Sequence, residues 1–145
     1  MGEISTVGVV GAGQMGNGIA HVAAVTGFDV CLTDISQAAL DKAKATIERN
    51  LGRMVKKERL DEASAAAALG RIRFETDMGA VDTAELIVEA ATENVELKYK
   101  IFEGLSSSAQ PDAILASNTS SISITSIAAK TDRPERVMGM HFMNP

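Results

Sequence analysis

Apolar residues recur along this chain in short blocks separated by longer amphipathic stretches. Residues 4–10 form a β-branched apolar run that stops at Gly11, and from residue 14 to 26 the pattern turns helical with small residues on one side. A second apolar run, 28–33, closes at Asp34, and Ser36 stands as the N-cap of a long helix running to Lys57. A charged segment, Lys56-Lys57-Glu58-Arg59, then leads through Asp61 into an Ala-rich helix ending at Leu69. Two helices between successive strands exceed what a simple crossover needs, so the pair reads as a helical hairpin inserted between the second and third strands. Further strands are expected at 72–75, 86–90, 114–117 and 136–140, with helices at 95–107 and 123–129. Strands alternating with helices imply an α/β fold: a Rossmann-type, doubly wound parallel sheet covered on both faces.

Composition agrees with that layout. The 145 residues are 46% hydrophobic but only 3% aromatic, so the core must be built from Ala, Val, Ile, Leu and Met, which suits helices packed on a sheet. The size is that of one domain, 1–145. A net charge of −5 argues against nucleic acid or an anionic membrane as partner and favours a small molecule. No apolar stretch is long enough to span a membrane, and Met1-Gly2-Glu3 leads directly into the first strand without a leader pattern, so a cytoplasmic protein is expected. Cys31 has no partner for an internal disulfide and lies in an apolar run, which fits a core residue in a reducing compartment. No metal is expected.

The segment Gly11-Ala12-Gly13-Gln14-Met15-Gly16 joins the first strand to the first helix. Glycine at 11 permits the sharp turn, glycine at 13 lets a pyrophosphate approach the backbone, and glycine at 16 allows close packing; the free N–H groups and dipole of the helix start favour phosphate charge. Asp34 follows Gly16 by 18 positions at the end of the second strand, where a carboxylate can accept from adenosine ribose hydroxyls and repel a 2′-phosphate. NAD is therefore favoured over NADP. Asp34 also reads as a plain turn residue ahead of the Ser36 cap.

Two histidines are present. His21 lies among Ile19, Ala20, Val22 and Ala23 and reads as a structural residue. His141 ends the sixth strand at the carboxyl edge of the sheet, where ligands of such folds collect, and imidazole titrates near neutrality, so it can take a hydroxyl proton. The polar cluster 117–121 follows the fifth strand and opens toward the same crevice. Its hydroxyls and amide can hold a substrate oxygen; alternatively Ser120, Ser121 or Ser123 caps the next helix.

Four motifs together carry a resemblance to a family: Val9-Val10-Gly11-Ala12-Gly13-Gln14-Met15-Gly16, Ile87-Val88-Glu89-Ala90-Ala91, Ala116-Ser117-Asn118-Thr119-Ser120-Ser121 and Gly139-Met140-His141-Phe142-Met143-Asn144-Pro145. Over essentially its whole length the chain resembles the 3-hydroxyacyl-CoA dehydrogenases, including the bacterial 3-hydroxybutyryl-CoA dehydrogenases. Met143 stands where the usual pattern has Phe, one apolar residue for another. The resemblance implies reversible, NAD-dependent oxidation of a (S)-3-hydroxyacyl-CoA to the 3-ketoacyl-CoA, with His141 as general base and Ser120 hydrogen-bonded to the 3-hydroxyl. It assigns Glu93 and Lys98 to the cofactor and Asn144 to its nicotinamide end, although Lys98 also reads as a solvated helix charge. Asn118 matches a substrate-pocket residue or fixes its own loop. Arg53, Lys56, Lys57 and Arg59 on the hairpin would meet CoA phosphates, or are simply solvated charges.

In that family a Glu beyond the His orients the imidazole, and a helical second domain closes the substrate site and forms the homodimer. Neither lies in this sequence, which stops at Asn144-Pro145 directly after a strand and looks cut. The chain is therefore expected to bind NAD(H) but to turn over poorly or not at all. Two other readings stay open: a 3-hydroxyacid dehydrogenase acting on free acids, and a non-catalytic NAD-binding module.

Overall fold

The computed structural model describes residues 3–119 and 122–141. Its first strand, β1 (Thr6–Val10), shows why the apolar runs are continuous: Val7 and Val9 face one core, Val10 the other, and all three are buried. A strand covered on both faces needs apolar residues at every position. β2 (Asp29–Thr33) repeats the arrangement, sending Val30 and Leu32 one way and Cys31 the other. β3 (Ile72–Glu75), β4 (Leu86–Glu89), β5 (Ile114–Ser117) and β6 (Val137–Gly139) complete a six-stranded sheet in the order β3-β2-β1-β4-β5-β6, every pair parallel. The chain winds outward from β1 to β3, returns, and winds the opposite way from β4. The reversal leaves a crevice at the carboxyl ends of β1 and β4.

One core lies beneath α1 (Gln14–Thr26), α2 (Gln37–Lys56) and α3 (Glu62–Gly70), with Ile19, Ala20, Leu40, Ile47 and Ala68 among its buried residues. The other lies beneath α4 (Val95–Ser108) and α5 (Ile124–Ala128), built on Phe102, Leu105, Leu115 and Ile127. α2 and α3 form the expected hairpin. Its turn depends on Glu58, which takes a left-handed φ of 58° while Glu58 N–H donates to the Val55 carbonyl and Arg59 N–H to that of Met54.

Boundaries differ from the sequence reading mainly at strand ends. β1 begins at Thr6, β4 stops at Glu89, and β6 starts after a 3-10 turn, Pro134–Arg136, which claims Arg136. A second 3-10 turn, Met78–Val81, carries the chain from β3 back across the sheet to β4. It lies so close to β1 that a Cβ at Gly8 would come within 2.8 Å of the Val81 Cβ. Glycine in the middle of an otherwise valine-rich strand is thus the condition for this crossover.

Candidate cofactor cleft

Gly11 leaves β1 with φ +105°, and a Cβ there would lie 2.6 Å from the Ala91 Cα, so both conformation and close approach require glycine. At Gly16 a Cβ would lie 1.7 Å from the Gly11 carbonyl oxygen. The contact that glycine permits is therefore between the helix and the turn itself. Gly13 differs from both. Its φ of −71° suits any residue, and a Cβ would meet nothing within 4 Å. Nothing inside the protein demands glycine at 13, so the space it leaves is on the open side, where a ligand's phosphate would approach.

Gly13 is also the N-cap of α1 and supplies no side-chain hydrogen bond to it. The helix start faces an open cleft of about 250 Å³ lined by Gly13, Gln14, Met15, Ala90, Ala91, Thr92, Glu93, Lys98 and Asn118. Five of the residues singled out from the sequence as cofactor or substrate contacts, Gln14, Met15, Glu93, Lys98 and Asn118, thus meet in one place with Gly13. A helix N-terminus closed by no side chain and opening onto a cleft suits an anionic group. The donor set fits a dinucleotide pyrophosphate.

Asp34 stands beside this turn in one of the roles the sequence left open, that of turn residue, and in a further one. Its Oδ1 accepts from Ser36 N–H at 2.9 Å, the expected turn bond, while Oδ2 accepts from Ala12 N–H at 2.9 Å and so braces the glycine turn. Each oxygen retains a lone pair for a ribose hydroxyl.

Lys98 is not a solvated helix charge. It is 1% exposed, on the face of α4 that also carries Phe102 and Leu105, and its Nζ donates to Glu89 Oε1 at 2.6 Å and to Ser117 Oγ at 3.3 Å. Ser117 Oγ in turn donates to Glu89 Oε1 at 2.8 Å, and Glu89 Oε2 accepts from the N–H groups of Ala91 at 2.8 Å and Thr92 at 3.4 Å. The sequence offers no role for Glu89, and for Ser117 only the substrate contact shared by the 117–121 cluster. The available signal was a carboxylate ending the apolar run Leu86-Ile87-Val88.

Within the 117–121 cluster, this network corrects the reading of hydroxyls open to substrate at Ser117 and Thr119. Ser117 is fully buried and committed to Glu89, and Thr119 Oγ1 donates to Glu93 Oε2 at 3.0 Å while accepting from Ile122 N–H. Ser123 caps α5 by accepting from Ser126 N–H at 3.2 Å, as the plainer reading had it. Ser120 and Asn144 lie outside the described residues. Asn118 is anchored through its backbone N–H to the Glu89 carbonyl at 2.9 Å.

His141 is exposed two residues beyond β6, at the same carboxyl edge, where Met140 N–H donates to the Ser117 carbonyl. His21 is half-buried on α1 with no hydrogen-bond partner at Nδ1 among the described residues, and burial holds its pKa below the ordinary value. Arg53 and Lys57 are exposed on the hairpin, away from the cleft lining and without an ion pair among the described residues. No helix among the described residues is long and apolar enough to cross a membrane.

Residues 6–145 match the family described as 3-hydroxyacyl-CoA dehydrogenase, NAD binding domain. The chain is 53% identical over 142 residues to a 3-hydroxybutyryl-CoA dehydrogenase of Bradyrhizobium diazoefficiens, covering 98% of itself and 48% of that protein. A crystal structure of (S)-3-hydroxybutyryl-CoA dehydrogenase from Ralstonia eutropha superposes with a TM-score of 0.95 at 50% identity, over 99% of this chain and 50% of that one. The Escherichia coli K12 3-hydroxybutyryl-CoA dehydrogenase structure gives 0.96 at 44% identity, over 99% and 30%. The chain spans about half the length, or less, of these proteins.

Proposed function

This chain belongs to the 3-hydroxyacyl-CoA dehydrogenase family, within its NAD-binding domain, and we propose that the protein oxidises a (S)-3-hydroxyacyl-CoA, short-chain such as 3-hydroxybutyryl-CoA, reversibly to the 3-ketoacyl-CoA. The observation that carries the reading is the start of α1, left without a side-chain cap by Gly13 and opening onto the cleft. NAD, when bound, supplies the hydride acceptor. The turn Gly11 to Gly16, with Gln14 and Met15, would hold its pyrophosphate; Asp34 would accept from the adenosine ribose; Glu93 and Lys98 would contact the cofactor, and Asn144 would line its nicotinamide end.

His141 takes the proton of the substrate's 3-hydroxyl as the hydride departs from the same carbon, and returns it in the reverse direction. Ser120 donates to the substrate oxygen, and Asn118 lines the pocket beside it. Arg53 and Lys57 reach the phosphates of the CoA moiety from the hairpin. By the family resemblance, a helical second domain would close the substrate site, orient His141 through a Glu and pair two copies as a homodimer, and residues 1–145 by themselves would bind NAD(H) with little or no turnover. The setting is cytoplasmic, in keeping with the buried thiol of Cys31.

The test is acetoacetyl-CoA-dependent oxidation of NADH by the full-length protein, run beside free acetoacetate and with His141→Asn. Turnover of the CoA ester alone, falling about 10²- to 10⁴-fold in the variant, is expected. Equal turnover of the free acid with His141→Asn unaffected would indicate a free-acid dehydrogenase. Cofactor binding without turnover of either would leave a binding module.

A further inference from the structure

The buried cluster Glu89–Lys98–Ser117 is more than a structural tie, because of where the sheet order places it. Asp34 ends β2, the glycine turn ends β1, and Glu89 and Ser117 end β4 and β5, in that spatial sequence along one edge. Neighbouring strands lie about 4.8 Å apart. A dinucleotide whose adenosine ribose meets Asp34 and whose pyrophosphate meets α1 therefore brings its other half over β4, against the Lys98 side of the cleft.

Lys98 Nζ has three N–H donors. Two are used by Glu89 and Ser117, and Lys98 also lines the cleft. Glu89 in turn has both oxygens engaged, by Lys98, Ser117 and the backbone of Ala91 and Thr92. The charges are fully buried and cancel as a pair. The nicotinamide ring is cationic when oxidised and neutral when reduced, so an uncancelled charge beneath it would weigh on one redox form and not on the other.

We propose that Glu89 is a positioning residue that neutralises and aims Lys98, and that the balance of this pair sets the relative affinity for oxidised and reduced cofactor. The proposal rests on the NAD-binding reading above. Removing the carboxylate leaves a buried cation that repels the oxidised ring; removing the ammonium leaves an anion that attracts it. At a separation on the order of 10 Å and an effective dielectric near 20, either change alters the affinity ratio on the order of tenfold.

The experiment measures dissociation constants of NAD⁺, NADH and ADP-ribose with the full-length protein, for the wild type, Glu89→Gln, Lys98→Met and the double variant. The ratio of the NAD⁺ to the NADH constant is expected to rise on the order of tenfold in Glu89→Gln, to fall comparably in Lys98→Met, and to return toward the wild-type value in the double variant. A merely structural role would weaken all three ligands together and leave the ratio unchanged, which overturns the proposal. Should Glu89→Gln fail to fold, the fall in Lys98→Met remains the test, and an unmoved ratio there overturns it equally. ADP-ribose separates the two readings: if the wild type binds neither it nor NADH, the NAD-binding reading itself fails.

Discussion

Among the described residues, four of the five α-helices begin in the same way and one does not. Ser36, Asp61, Asn94 and Ser123 each turn a side-chain oxygen back onto the first turn of α2, α3, α4 and α5, accepting from Ala39, Ser64, Leu97 and Ser126 N–H at 2.7 to 3.2 Å. Such a cap contributes about 1 kcal/mol. α1 begins on Gly13 with no such bond. The same helix has an ordinary C-terminal end, where Gly27 adopts φ +115° and Arg71 Nη1 donates to the Ala24 carbonyl at 2.9 Å. The exception is thus confined to one end of one helix, the end at the crevice where the winding of the sheet reverses. A helix start left without a side-chain cap at that crevice fits the anionic group of a ligand.

The contrast can be broken hardest at Gly16. Gly16→Ala drives a methyl into the Gly11 carbonyl and is expected to lower unfolding free energy by about 3 kcal/mol, read by urea denaturation, with cofactor binding lost as the turn opens. Next comes Asp34→Asn, which removes the negative charge at the β2 end of the cleft. The preference for NADH over NADPH should relax about tenfold, or about 1.4 kcal/mol, by nicotinamide fluorescence. The ratio is the proper readout because Asp34 also braces Ala12, so absolute affinity falls for a structural reason as well.

At the capped end of the comparison, Ser123→Ala should destabilise the fold by about 1 kcal/mol in denaturant and leave NADH affinity as it was. The smallest effect belongs to His21. Burial lowers its pKa in the folded state, so the unfolded chain binds the proton more readily, and stability is full above the unfolded pKa and lost as pH falls through the folded one. His21→Gln should flatten the decline in melting temperature on going from neutral to mildly acidic buffer; an unchanged slope would remove the imidazole from the account.

The sequence pattern disclosed most of the winding because both sheet faces are covered, so strands such as Val7–Val10 read as unbroken apolar runs and the helices between them keep their period. The crossover Met78–Val81 was not legible: its only trace is Gly8, seventy residues earlier, and the contact that explains Gly8 exists only in the folded chain. Lys98 illustrates the same limit from the other side. Its spacing of four and seven from Phe102 and Leu105 places it on the buried stripe of α4, a signal that was present, but its partners come from β4 and β5 and no local pattern names them. Asp34 was legible as a turn residue and as a cofactor candidate, whereas its bond to Ala12 joins two segments whose adjacency depends on the sheet.

The most direct test of the central claim is Gly13→Ala in this chain, with NADH affinity and denaturant stability measured on the same preparation. A methyl at 13 meets nothing in the protein, so stability should stay within about 0.5 kcal/mol. NADH affinity should nonetheless fall at least about tenfold, as expected when a charge-assisted hydrogen bond to the pyrophosphate is pushed out of reach. Unchanged affinity would contradict the account, because the open start of α1 would then not be where the cofactor's phosphates sit.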